Sequence, residues 1–184
     1  VRGGMGFKDY PIVFNTGQVI LGWTALYHHY GENRYLTAAK RAADWLIYHQ
    51  DPDGKWSQHT YLNSPRAYHT RVAWPLLEVY NITNEVRYLE SAKNFLNWLL
   101  PQQRPNGFFP HMSLNPKELP ITHTIAYTLR GLLECARLID DSTEILSRLS
   151  KSSNASWIIS SQEYLSILML KFLTFRNKEF FISE

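Results

Sequence analysis

The sequence predicts an all-α protein built from helical hairpins in two layers. The first observation is an internal repeat, in which residues 35–56 read YLTAAKRAADWLIYHQDPDGKW and residues 88–109 read YLESAKNFLNWLLPQQRPNGFF. The two stretches align without a gap at a shift of 53 residues, and a period near 50 residues indicates one supersecondary unit used several times. The second observation is that helices apolar on most faces alternate with helices apolar on one face, which is typical of an inner and an outer layer.

The first hairpin combines one helix of each kind. Asn15, followed three residues later by Gln18, fits a capping box, so we expect the first inner helix over residues 16–30. The outer helix, at about residues 33–49, has a single apolar stripe at helical spacing. It should end at the turn of residues 51–54, which contains both Pro and Gly.

The second hairpin repeats this pattern after a polar loop. Ser64 and Pro65 are predicted as the N-cap and the first residue of the second inner helix, at about residues 65–82. Pro75 lies inside that helix and should kink it. The following outer helix, at about residues 85–102, is again apolar on one side.

Two further hairpins are predicted, the last of them incomplete. An inner helix should run from Thr122 to about Ile139 and precede a short outer helix at about residues 141–149. A capping box begins another inner helix at Ser160. The predicted repeats of one domain over residues 1–184 are 15–67, 68–121, 122–159 and 160–184.

The length of the repeat separates this array from other helical repeats. Tetratricopeptide repeats have a period of about 34 residues, and HEAT and armadillo repeats have periods of about 40–47. Here the period is longer, and long aromatic loops precede the inner helices. The fold class is therefore predicted as an (α/α) hairpin array of toroid type, incomplete, with about three and a half hairpins.

Composition excludes several classes of partner. The 184 residues are 45% hydrophobic and 19% charged, which is typical of a globular chain. The net charge of +3 comes from scattered residues, so we expect no nucleic-acid partner. No apolar run approaches the roughly 18 residues of a membrane span, so we expect no membrane contact and a cytoplasmic protein. The single cysteine, Cys135, lies in an apolar run and is predicted as a buried thiol.

Three segments carry a resemblance to a known superfamily. The runs FNTGQVILGWTALYHHYGENRYLTAAKRAADWLIYHQDPDGKW, YHTRVAWPLLEVY and THTIAYTLRGLLE resemble bacterial proteins of the six-hairpin (α/α)-toroid superfamily, over about residues 10–140. Its members include glycoside hydrolases, unsaturated glucuronyl hydrolases, N-acylglucosamine 2-epimerases and the C-terminal part of glucuronyl C5-epimerases. Six hairpins of this period need about 320 residues. We therefore expect either a fragment of a longer ring or an open arc that self-associates through its open end.

The resemblance implies a saccharide site in a funnel at the starts of the inner helices. Flat aromatic faces of Trp56 and Phe109 would stack on a sugar ring, or would pack the loops onto the helices. Hydrogen-bonding side chains that would bind sugar hydroxyls are Asn15, Gln18, Tyr68 and Thr122. Arg71 would bind a uronate carboxylate, or would lie outward as a surface arginine.

Two histidines occupy equivalent positions at the starts of inner helices. His69 and His123 each lie beside a threonine, and a histidine can transfer a proton near neutral pH. The resemblance to the 2-epimerases implies that these two act as acid and base. The alternative is that each caps its helix or bonds a neighbouring loop.

The competing enzyme hypothesis is hydrolysis by two carboxylates. The funnel loops contain only Asp9 and Glu118, and Glu78 and Glu134 lie more than two turns into their helices. No ligand spacing predicts a metal site, and no cofactor is expected. The first hypothesis is therefore an epimerase or isomerase of a sugar or of a uronic-acid-containing saccharide. The alternatives are a non-catalytic carbohydrate-binding or scaffold protein and a fragment of a glycoside hydrolase.

Overall fold

A computed structural model describes residues 10–115 and 117–153 of the chain. That part contains six α-helices, three short 3₁₀ turns and no β-strand, which confirms the predicted all-α fold class. The helices are α1 (Val13–Tyr30), α2 (Asn33–Tyr48), α3 (Thr70–Thr83), α4 (Val86–Leu99), α5 (Thr122–Leu138) and α6 (Thr143–Ser153). The fourth hairpin predicted at residues 160–184 lies outside the described residues.

The helices form two layers. Helix α3 packs against α1 on one side and α5 on the other, while α2, α4 and α6 pack mainly against their own hairpin partners. Helices α2 and α4 barely touch each other. No helix in the described part is both long and apolar enough to cross a membrane.

The start of α1 differs from the prediction. The helix begins at Val13, so Asn15 lies inside the first turn and is not the N-cap. The Val13 amide donates to the carbonyl of His59, 2.9 Å away in the next loop. Because this loop satisfies the first free amide of the helix, no capping side chain is needed, and the capping-box prediction is wrong. The Gln18 side chain instead bonds Arg71.

The start of α3 also differs. The helix begins at Thr70 rather than near Pro65, and residues 61–63 and 67–69 form 3₁₀ turns before it. Thr60 explains the difference, because its hydroxyl accepts from the Ser64 amide and donates to the Ser64 carbonyl, both at 2.9 Å. Ser64 is thus held in the loop, and the prediction that it caps the helix is wrong.

The turn that follows α2 connects two outer helices. The Gln50 amide nitrogen donates to the Gly54 carbonyl at 2.6 Å and to the Ser91 carbonyl of α4 at 3.0 Å. Gly54 has a φ of +94°, and a Cβ there would lie 2.3 Å from the Asn94 carbonyl oxygen. Only glycine fits this contact without strain.

The turn that follows α4 repeats these contacts. The Gln103 amide nitrogen donates to the Gly107 carbonyl at 3.2 Å and to the Arg148 carbonyl of α6 at 2.8 Å. It also donates to the Ser152 hydroxyl at 2.9 Å. Gly107 again has a positive φ, of +82°.

Glycines bring the inner helices close together around the start of α3. A Cβ at Gly131 of α5 would lie 2.3 Å from the Thr70 hydroxyl oxygen, and a Cβ at Gly17 of α1 would lie 3.1 Å from the Arg71 carbonyl oxygen. The Cys135 thiol is buried beside Thr70, and burial raises its pKa, which confirms the predicted buried thiol.

Helix α1 is less buried than its composition predicts. Leu26 and Tyr30 are exposed, whereas α3 buries half of its residues. In the described part α1 has only α2 and α3 as main neighbours, while α3 packs against α1, α4 and α5. Burial on most faces is therefore a property of α3 and not of α1.

Candidate functional site

Polar and aromatic side chains form a stripe on the inner helices. On each helix the members follow one another at intervals of three or four residues, which places them on one face. The stripe consists of Arg71, Trp74 and Glu78 on α3 and of Tyr127, Arg130, Glu134 and Arg137 on α5. We call these residues, together with Gln18 of α1, the polar face.

Arg71 is the central residue in the part of the polar face nearest the starts of the inner helices. Its Nε and Nη2 donate to the side-chain oxygen of Gln18 at 2.9 and 2.7 Å, and the Gln18 amide donates back to the Arg71 carbonyl at 3.0 Å. The guanidinium lies 4.9 Å from the ring centre of Tyr127 and 5.4 Å from that of Trp74. Burial lowers the pKa of Arg71, but an arginine of this kind stays protonated at neutral pH.

Aromatic side chains connect the starts of the three inner helices. Phe14 stacks on Tyr127 with ring centres 5.4 Å apart, and its ring meets the edge of Tyr68 at 5.5 Å. The exposed His123 ring lies 4.1 Å from that of Tyr127. Tyr68 itself is buried, so the rings left beside the guanidinium are those of Phe14, Trp74 and Tyr127. Such rings beside a fixed guanidinium suit a ligand with flat apolar faces and polar edges.

The part of the polar face that lies further along α3 and α5 is a network of ion pairs. Arg137 donates to Glu78 and to Glu134, both at 3.0 Å. Arg130 forms an ion pair with the second oxygen of Glu134 at 2.6 Å. The Trp74 indole donates to Glu78 at 2.8 Å. Both glutamates therefore accept hydrogen bonds from side chains of the polar face.

The structure brings together four of the residues that we predicted for the site. Gln18, Arg71, Tyr68 and His123 all lie around Phe14 and Tyr127. The other two hydrogen-bonding candidates lie nearby on the helix starts. Asn15 is half-buried in the first turn of α1, and Thr122 is the exposed first residue of α5. Their predicted roles in binding stay predictions.

His69 lies deeper than its counterpart. Its side chain is 1% exposed and packs between Trp56, Phe95 and Tyr68. Burial, with a smaller contribution from the positive charge of Arg66, lowers the pKa of His69 to about 3. The ring is therefore neutral at neutral pH and does not reach the polar face. Its predicted role in proton transfer stays a prediction that would require its neighbours to move.

Trp56 and Phe109 do not provide the stacking faces that we expected. They are 0% and 2% exposed, and the Trp56 indole donates to the Leu46 carbonyl at 2.9 Å. Both rings are buried in the core, so no flat face remains for a sugar. The alternative reading, in which they pack the loops onto the helices, describes what the structure shows.

The polar face was not predicted as a unit. Tyr127, Arg130, Glu134 and Arg137 follow one another at helical spacing on a helix that is otherwise mainly apolar. That spacing is visible in the sequence and would have predicted a polar stripe on an inner helix. Within the described residues, no three His, Cys, Asp or Glu side chains gather in a way that would hold a metal ion.

A known family matches most of the chain. Residues 7–151 match the family model described as β-L-arabinofuranosidase, GH127 catalytic domain, which covers more than half of the chain. This is an (α/α)-toroid glycosidase family, so the predicted glycosidase-like toroid superfamily is confirmed, while the epimerase naming receives no support. A search of curated proteins found no match.

Proposed function

The chain belongs to the family of GH127 catalytic domains, and on that premise we propose that it binds a saccharide at the polar face as part of a glycoside-processing site. The observation that carries the proposal is Arg71, which is fixed by Gln18 between the rings of Tyr127 and Trp74. A preorganised donor beside aromatic faces binds a sugar with little loss of side-chain entropy.

Glu78 and Glu134 resemble a pair of catalytic carboxylates only in number. Both accept hydrogen bonds from Arg137, and Glu134 also pairs with Arg130. A general acid for glycoside cleavage has to reach the leaving-group oxygen of the substrate, whereas both of these carboxylates are engaged by guanidinium groups of the face. We therefore assign Glu78 to joining α3 to α5 through Arg137 and Glu134 to orienting Arg130 and Arg137 on α5.

The first experiment measures binding and turnover with wild-type protein and two arginine variants. The panel contains a chromogenic β-L-arabinofuranoside, neutral oligosaccharides and uronate oligosaccharides. Arg71→Met should weaken binding of the recognised saccharide by about 10- to 100-fold, because it removes charge-assisted hydrogen bonds worth about 1.5–3 kcal/mol. Arg41→Met is the matched control, because Arg41 is exposed on α2.

Two results would count against the proposal. One is wild-type affinity in Arg71→Met for every saccharide that binds. The other is the absence of binding to any member of the panel by protein whose circular dichroism shows folded helices. Release of arabinose by the wild-type chain would extend the proposal from binding to hydrolysis.

The second candidate function is proton transfer next to a sugar carbonyl, as in an epimerase. The observation that favours it is His123, an exposed imidazole 4.1 Å from Tyr127 and therefore beside the Arg71 cluster. In D₂O, such an enzyme would exchange a carbon-bound hydrogen of a uronate or an N-acylated amino sugar, which NMR detects. His123→Gln should stop the exchange and keep binding. Binding with neither reaction would favour a non-catalytic carbohydrate-binding protein.

A further inference from the structure

The polar face has an unequal number of positive and negative charges. It contains three arginines, Arg71, Arg130 and Arg137, and two glutamates. Arg130 and Arg137 are ion-paired with those glutamates. Arg71 is the remaining arginine, because no carboxylate in the described part of the chain lies within ion-pair distance of it. One positive charge of the face is thus not neutralised.

The contacts of Arg71 leave its outer edge free. A guanidinium has five N–H donors, and Gln18 takes one from Nε and one from Nη2. No acceptor for Nη1 is found in the part of the chain that the structure describes. Nη1 and the second hydrogen of Nη2 point the same way, and this is one of the two pairs that bind both oxygens of a carboxylate.

From the unneutralised charge of Arg71 and the free outer edge of its guanidinium, we infer that the ligand is an anionic saccharide whose carboxylate is bound end-on by Arg71. Gln18 is a positioning residue that sets the plane of the guanidinium. The rings of Tyr127 and Trp74 flank the guanidinium. The inference rests on the proposed function and deepens it by naming a uronate as the class of substrate.

The test compares each acidic saccharide with its methyl ester, which differs from it in charge and hardly in shape. Isothermal titration calorimetry measures binding of galacturonate and glucuronate trisaccharides and of their methyl esters. The wild-type chain should prefer one of the acids over its ester by at least about tenfold, which corresponds to about 1.4 kcal/mol. Arg71→Gln should abolish this preference, and Arg41→Gln, which removes an equal charge from the exposed side of α2, should keep it.

Two further variants separate geometry from charge. Arg71→Lys keeps the charge but not the planar fork, so it should retain only part of the preference for the acid. Gln18→Leu keeps the arginine but not its orientation and should also weaken the preference, whereas a purely structural role of Gln18 would weaken binding of acid and ester equally. Thermal unfolding followed by circular dichroism confirms that each variant is folded.

The outcomes separate this inference from the function on which it rests. Equal affinity for acid and ester, with both weakened in Arg71→Gln, overturns the inference and leaves saccharide binding at the polar face intact. A preference for the acid that survives in Arg71→Gln overturns the assignment to Arg71. Failure of every acid and every ester to bind contradicts both the inference and the proposed function.

Discussion

The turns that follow α2 and α4 make the same contacts, whereas the starts of α3 and α5 differ. Gln50 and Gln103 each bond the glycine of their own turn and the main chain of the next outer helix. His69 and His123 also occupy equivalent positions in the sequence, yet His69 is buried and His123 is exposed. The two repeats therefore make the same contacts in the outer layer and different contacts at the helix starts that surround the candidate site.

This difference has a physical cause. Each outer turn binds a main-chain carbonyl of the next helix, which is present whatever the side chains are, and adds a bond with one serine of that helix. A helix start contacts side chains, and these differ between the repeats: His69 packs against Trp56 and Phe95, whereas His123 packs against Tyr127. Equivalent sequence positions thus predict equivalent backbone and not equivalent chemistry.

The largest expected effect comes from adding one methyl group to an outer turn. Gly54→Ala should lower the free energy of unfolding by about 4 kcal/mol, because it combines a strained positive φ with a clash at the Asn94 carbonyl. Urea denaturation measures the change. Gly107→Ala, at the equivalent position, should also destabilise the chain. Gly22→Ala is the control, because nothing lies within 4 Å of a Cβ added at this position. This substitution should stabilise α1 by about 0.5–1 kcal/mol. A Gly54→Ala variant as stable as the wild type would contradict the equivalence of the turns.

A smaller effect is expected from the glutamines that hold the turns. Gln50→Ala and Gln103→Ala should each cost about 2 kcal/mol, because each leaves carbonyl groups of a turn and of the next helix without a donor. Gln58→Ala, at an exposed loop position, should be nearly neutral in the same urea titration. If only one of the two turn variants is destabilised, the two turns are not energetically equivalent despite their common geometry.

The smallest effect is a dependence on pH at the start of α3. The pKa of His69 falls from 6.5 to about 3 in the folded chain, so the unfolded chain binds more protons between these values. Stability from this group is complete above pH 6.5 and decreases as the pH falls towards 3, by about 1 kcal/mol per pH unit. Unfolding measured at pH 7, 6 and 5 should show a shallower decline in His69→Gln than in the wild type. His123→Gln is the matched control and should keep the wild-type decline. If His69→Gln also keeps the wild-type decline, burial of His69 is not the cause of the pH dependence.

Much of the backbone was predictable because its signals are local. The bounds of α2 and α5 agree with the predictions to within one residue, since Gly31 and the turn of residues 51–54 stop or separate helices by their own conformational preferences. The starts of α1 and α3 were not predictable in this way. Val13 is capped by the carbonyl of His59 and Ser64 is held by Thr60, and both contacts depend on how a neighbouring loop folds.

The candidate site was predicted in part for the same reason. Gln18 and Arg71 were both predicted at the starts of inner helices around the funnel, and they lie together there. Trp56 and Phe109 were misread, because aromatic residues in a loop have the same composition whether they stack on a ligand or fill the core. Only tertiary packing decides between these roles, and here it buries both rings.

The glycines that flank the start of α3 have a geometric consequence. Helices that meet through glycine lie closer together than helices separated by larger side chains, and Gly17 and Gly131 place such contacts on both sides of α3. The outer helices α2 and α4, in contrast, barely touch. A row of hairpins that is narrow on its inner side and wide on its outer side must bend towards the narrow side. These two glycines thus set the direction in which the row of hairpins bends.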